Sequence, residues 1–276
     1  MANGLAKRVF RWILKGASAI TYRDDNTRKL GEACGVEKPM YHTADSGFWL
    51  LPALEGTAEE IIHRAGKRDQ GRSFIALTPH MLFFTNHEEV GKHFNPKSPE
   101  QYDQEIDCFA TAVDWLWERG YQPIFVPMNT VAPDDDRIAA RKVMERAKFG
   151  KCALLIDEEV KPRVAPVVFK QCSFSIVARV HGSITSAIGN CPVIMYAFAP
   201  KHEGIMKPME LDRYILMETE ASPAKMIELI SHMEFHREEV CSFLPERLEK
   251  LRQEGLIPFS LMIQILDRPP PKNEAK

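Results

Sequence analysis

The sequence predicts an α/β fold, a parallel sheet with helices on both faces, on three observations. From about residue 72 onward, short apolar runs alternate with helix-length amphipathic segments, which is the pattern of βαβ units. The runs are apolar nearly throughout rather than at every second position, as strands covered on both faces require. Of the 276 residues, 45% are hydrophobic and 27% charged, an ordinary balance for a chain with a sizeable core.

Taken in order, residues 4–15 read as an amphipathic helix. Lys7, Arg8, Arg11 and Lys15 surround Val9, Phe10, Trp12 and Leu14. That suits a helix packed on its own domain or, alternatively, one lying on a membrane surface. "SAITYRD" is a short strand. Asp24 or Asp25 can cap the helix "DNTRKLGEACG", which Gly35 would stop. "PMYHTADSGFWLLP" holds another short strand and a loop, and the charged stretch that follows puts a domain boundary near residue 70. Then come the strand "FIALTPHMLFF", a helix over roughly 99–119 carrying Phe109, Val113, Leu116 and Trp117, and the strand "YQPIFVPM". "DDDRIAARKVMERAKF" is a helix, "CALLID" a strand, and "VAPVVFKQ" a short helix before the strand "FSIVAR". The helix "GSITSAIGN" and the strand "PVIMYAF" follow. "YILMET" is the last strand, and two helices occupy about 223–233 and 235–254. The expected division is a small part over 1–70, a larger one over 71–258 and a tail over 259–276. The tail ends in "DRPPPKNEAK", a composition typical of disorder.

The totals narrow the function classes. A net charge of −2 gives no support for a nucleic-acid binder, which usually shows a basic face. Cys34, Cys108, Cys152, Cys172, Cys191 and Cys241 include no CxxC pair, and four of them sit in apolar stretches, so buried free thiols in a reducing compartment are expected. No run approaches the roughly 18 apolar residues of a membrane helix. The charges in "LAKRVFRWILKGASAI" argue against a signal peptide. No metal-ligand spacing is present, so no metal is expected.

The chemistry gathers in "VARVHGSITSAIGNCPVIMYAFAPK", residues 177–201. In an open parallel sheet, ligands bind beyond the carboxyl ends of the strands. Arg179 and His181 lie at such an end, with Gly182, Ser183 and Thr185 opening a helix whose free N–H groups attract anions. Arg179 brings a planar fork suited to phosphate or carboxylate. His181 can exchange a proton near neutral pH. Lys201 and His202 emerge from the next strand end. Asp134, Asp135 and Asp136 read as helix-capping residues. Arg23 and Asp24 read as a turn salt bridge, with Arg23 a minor site candidate. Asp45 either accepts a bond from a sugar hydroxyl or braces its loop, and His87 and His93 read as solvated loop histidines.

"IVARVHGSITSAIGNCPVIMYAFAPKHEGIM" resembles the polysaccharide pyruvyl transferase family, in which Arg-x-His precedes a small-residue helix, a turn and a strand. "AITYRDDNTRKLGEACGV", "TADSGFWL" and "PIFVPMNTVAPDDDRIAARKV" resemble further family segments, in the family's order, between about residues 17 and 208. The resemblance implies a Rossmann-like domain of the kind found in two-domain GT-B glycosyltransferases. Residues 1–70 would be the remnant of a first such domain, and either a partner chain supplies the rest, the sequence is truncated, or the activity is reduced or lost. It also implies transfer of pyruvyl from phosphoenolpyruvate to a sugar or lipid-linked glycan acceptor of a cell-surface polysaccharide. No further cofactor would be needed, and the work would take place in the cytoplasm at the inner face of the membrane. By the same resemblance His181 would be the acid–base residue, and Arg179, Gly182 and Ser183 would hold the donor. Lys201, whose segment departs from the family's spacing, and His80, which stands where the family often has an arginine, would be neighbours. The alternatives are a GT-B glycosyltransferase using a nucleotide sugar, or an inactive binding subunit.

Overall fold

The structure, a computed structural model, describes residues 4–80, 99–132 and 134–267. Compactness divides the chain into two units, residues 1–49 with 249–276 and residues 50–248. The sequence placed boundaries near 70 and 258.

In the larger unit six strands form one parallel sheet: β3 (Ser73–Thr78), β4 (Tyr121–Phe125), β5 (Leu154–Leu155), β6 (Cys172–Val177), β7 (Val193–Ala197) and β8 (Ile215–Met217). They lie in the order β5-β4-β3-β6-β7-β8. Numbered within the sheet this is 3-2-1-4-5-6, the order of a Rossmann-like fold. The chain winds outward from β3 in one direction, then returns to start again at β6. Because parallel crossovers are right-handed, the two directions of winding put helices on opposite faces. The expected α/β architecture is therefore the observed one. The four central strands are buried almost throughout, β7 wholly so, the edge strands β5 and β8 are mostly half-buried, and Phe74, Phe125, Phe174 and Tyr196 are among the largest enclosed side chains of the sheet.

The helices of this unit are α3 (Gly56–Ala65), α4 (Pro99–Glu118), α5 (Asp136–Arg146), α6 (Ala165–Lys170), α7 (Val180–Ile188) and α8 (Pro200–Met206). α4 packs on α5, and α6 packs on both α3 and α7. The α3–α6 packing places α3 with the larger unit, ahead of the boundary read from the charged stretch after it. α9 (Pro223–Glu254) is one helix where two were expected. Met226, Ile230, Met233, Val240, Leu244, Leu248 and Leu251 are buried at helical spacing, and nothing between His232 and Arg237 breaks the pattern. Its last turn, from Glu249, is counted with the smaller unit.

The smaller unit holds α1 (Gly4–Gly16), the parallel pair β1 (Ile20–Tyr22) and β2 (Met40–His42) joined by α2 (Asp25–Ala33), and α10 (Ile257–Leu266). Asp24 is the α2 cap, its carboxylate accepting from the Thr27 amide at 2.8 Å. Gly35 ends that helix at a φ of 71°. The end of α9 is fastened by hydrogen bonds: the Trp49 indole donates to the Arg252 carbonyl at 3.0 Å, and Arg252 Nε donates to the Phe48 carbonyl at 3.1 Å. α10 is helical where the tail had been expected to begin, and residues 268–276 lie outside the described part. Among the described residues no helix is long and apolar enough to cross a membrane.

Close backbone approach, rather than torsion, fixes Gly150, since a Cβ there would lie 1.8 Å from the Met144 carbonyl oxygen. Gly150→Ala should therefore lower stability by about 2 kcal/mol or more. A urea titration read by circular dichroism checks this, with an unchanged midpoint as the contrary result.

Candidate functional site

The switch in winding direction falls between β3 and β6, and the crevice beyond the carboxyl ends of those strands is where such sheets bind ligands. The chain leaving β3 carries His80, and the chain leaving β6 carries Arg179 and His181. Arg179 is the cap residue of α7 in extended conformation, and its side chain makes no capping bond. The Ser183 amide returns to the Arg179 carbonyl at 3.2 Å. The three amides before it, of Val180, His181 and Gly182, meet no acceptor among the described residues. Three open donors at the positive end of a helix form a ready place for an anion.

The Arg179 guanidinium is held from the side of β4. Its Nε lies 2.9 and 2.8 Å from the two Asp136 carboxylate oxygens, and Nη2 lies 2.7 Å from Oδ1. Nη2 also reaches Asp134 Oδ2 at 2.8 Å and the Asp134 carbonyl at 3.1 Å. Nη1 makes no bond to the described residues. Asp136, only 1% exposed, further accepts from the amides of Met128 and Asn129, both at 3.0 Å. Burial pushes the Asp136 carboxyl up, against the pull of Arg179 and those amides. Burial also disfavours the charged guanidinium, but the bonds from Asp136 and Asp134 outweigh it and hold Arg179 above its usual value.

Of the three consecutive aspartates, Asp135 is therefore the one that caps α5, accepting from the Arg137 amide at 3.0 Å. Asp136 is the partner of Arg179, a role the capping reading did not contain. Asp134 lies between the two strand ends, its Oδ1 4.0 Å from His80 Nε2.

His80 is buried, with its ring against Phe198 at 5.2 Å. Lys201 Nζ stands over the other contact of that ring system, 5.1 Å from the Phe198 centroid. His202 packs edge-on to Phe198 at 4.5 Å and is fully enclosed. Its Nδ1 lies 2.8 Å from the Ala199 carbonyl and 3.2 Å from the Ala199 amide. Burial, with some help from the Lys201 charge, pushes the His202 imidazole down to about 4.

His181 is exposed beside the open amides, and its ring makes no hydrogen bond to the described residues. Ser183 points inward, donating to the Val180 carbonyl at 2.7 Å, so neither its hydroxyl nor its amide faces a ligand. Gly182 needs no unusual torsion, and a Cβ there would meet only ordinary contacts at 3.4 Å or more. Arg23 belongs to the smaller unit, where it pairs with Asp45, which also accepts from the Gly47 amide at 2.8 Å. His87 and His93 lie outside the described residues. Among the described residues, no three His, Cys, Asp or Glu side chains are grouped to hold a metal ion.

Comparison with known proteins adds one match. The family model for polysaccharide pyruvyl transferase covers residues 2–200, from α1 through the first residue of α8. The chain belongs to this family. Arg179, His181 and the acidic loop lie inside the matched span, whereas Lys201 and His202 lie just beyond it. No curated protein matches the chain.

Removing one member of a buried ion pair leaves the other uncompensated. Arg179→Ala should cost about 3 kcal/mol in stability through Asp136, read from a denaturant titration, whereas a loss near zero would mean that the pair is open in solution. For His202, the native state is neutral and the unfolded side chain takes a proton near its ordinary 6.5. Its stabilisation is thus complete above pH 6.5 and is lost as pH falls toward 4, by about 3 kcal/mol. The stability difference between wild type and His202→Asn should shrink by that amount from pH 7 to pH 4. A difference independent of pH would show that the ring is not held neutral.

Proposed function

We propose that the chain transfers the pyruvyl group of phosphoenolpyruvate to two hydroxyls of a sugar in a cell-surface polysaccharide. Two bonds form from sugar oxygens to donor carbon 2, and the bond from carbon 2 to the phosphate oxygen breaks. Carbon 3 gains one proton, the hydroxyls lose two, and the second proton leaves with phosphate. Such a reaction needs a seat for a dianion and a group that moves protons beside it.

The observation that supports the reading is the start of α7, where three amides that meet no acceptor among the described residues adjoin Arg179 at the switch point of the sheet. The donor phosphate or carboxylate would lie on those amides and on Arg179 Nη1. The edge of the guanidinium facing β4 keeps its hold on Asp136. His181, exposed at the second position of α7, would carry the proton. His80 and Lys201 would line the neighbouring wall, and Asp134 would orient His80. Cys34, Cys152, Cys172, Cys191 and Cys241 form no disulfide, which fits a reducing, cytoplasmic setting. A nucleotide sugar would place its diphosphate on the same amides, so thermal shift with phosphoenolpyruvate against nucleotide sugars separates the two donors. A shift with neither would favour a binding subunit.

Two substitutions test the assignment together. His181→Ala should lower turnover about 10²–10⁴-fold with a smaller change in donor affinity. Gly182→Ala should hold or raise stability by about 0.5–1 kcal/mol, from helix propensity, yet weaken donor binding because the methyl crowds the amides. Full turnover in the first variant would remove His181 from the chemistry. Unchanged donor affinity in the second would move the anion away from α7.

A further inference from the structure

The smaller unit presents two apolar stripes that its own packing leaves uncovered. On α1, Phe10 and Leu14 are half-buried against the unit, while Leu5, Val9, Trp12 and Ile13 face outward on another side. Leu5 is 71% and Trp12 76% exposed. Their spacing, i, i+4, i+7 and i+8, is that of one helix face. On α10, Ile257, Pro258, Leu261 and Ile265 turn inward. Phe259, Met262, Ile263 and Leu266 stand exposed at i, i+3, i+4 and i+7. The two helices approach one cleft: Ser18 and Ala19, just after α1, line it together with Leu261, Gln264 and Ile265 of α10.

Charge distinguishes the possible occupants. The whole chain carries a net charge of −2, but α1 has Lys7, Arg8, Arg11 and Lys15 and no acidic residue; the first is Asp24. α10 has no charged residue at all. Arg8 and Lys15 lie one turn before and after Trp12, on the border of the outward stripe, where long cationic side chains reach headgroups while the apolar face sinks between them. Lys38 donates to the carbonyls of Lys15 and Ala17 at 2.6 and 2.7 Å, which fixes the end of α1 to the unit. A second copy set face to face on α1 would bring four cations against four. An anionic surface would neutralise them.

We propose that the smaller unit seats on an anionic lipid bilayer through the outward stripes of α1 and α10, with Arg8 and Lys15 on the headgroups and Trp12 at the interface. The full chain is sedimented with vesicles of phosphatidylcholine containing about 30% phosphatidylglycerol, and in parallel with phosphatidylcholine alone. Binding should favour the anionic vesicles at least about tenfold and weaken as salt is raised. Arg8→Gln with Lys15→Gln should lower it about 25-fold, about fivefold for each cation. Trp12→Ser with Ile263→Ser should lower it about tenfold or more. All four side chains are exposed, and wild type alone already decides between the vesicle types. Wild type that stays in solution with both, or binds both alike, overturns the proposal. So does light scattering that shows a dimer dissolved by the stripe substitutions, since a second copy would then be the occupant.

Discussion

The bond between Arg179 and Asp136 is the constraint around which the candidate site is arranged. It joins the two halves of the sheet at the point where the winding reverses: Arg179 lies just beyond β6, and Asp136 begins the helix that follows β4. A carboxylate this deeply buried is unfavourable unless its lone pairs are occupied. Here they are taken by the guanidinium and by the amides of Met128 and Asn129. The same carboxylate therefore sets the path of the loop after β4 and the direction in which Arg179 leaves its strand. The cap position of α7 is thus occupied by a side chain that has donors only and cannot accept from the leading amides, and these meet no acceptor among the described residues.

This arrangement changes what the site asks of its cation. Arg179 faces two aspartates, so the local side-chain charge is not the concentration of positive groups that the Arg-x-His spacing implies. Attraction for an anion falls instead to backbone donors that lose no rotamer freedom when a ligand arrives, and to the one edge of the guanidinium left unbonded. The pair fixes the plane of Arg179 beforehand, and with Nε and Nη2 taken by the aspartates it leaves Nη1 as the nitrogen that can meet an anion.

The sheet was legible because its strands are apolar on both faces, a pattern that survives whatever surrounds them; the α2 cap was narrowed to Asp24 or Asp25, and the stop at Gly35 read directly. The division of labour in "DDD" was not legible. Three adjacent carboxylates look alike in sequence, and only the crossover that brings β6 beside β3 shows which one meets an arginine 43 positions away. Ser183 was read as a ligand residue from its place near a helix start. Its hydroxyl is instead buried and donates to the Val180 carbonyl of its own helix. α9 was divided at residues 233–235, although its inward stripe continues from Met233 through the half-buried His236 and Arg237 to Val240.

The small residues of α7 show how packing and binding share one segment. Ser186 bonds Ser175 of β6 at 2.7 Å, and a Cβ at Gly189 would lie 2.3 Å from the Pro166 carbonyl oxygen, so the back of the helix is small because the sheet and α6 press against it. Packing makes no such demand at Gly182, where an alanine methyl would fit. A glycine costs a helix interior about 1 kcal/mol relative to alanine. Gly189, which caps the end of α7, is therefore accounted for by the fold and Gly182 is not, and the Gly182 amide is one of the three left open at the start of the helix.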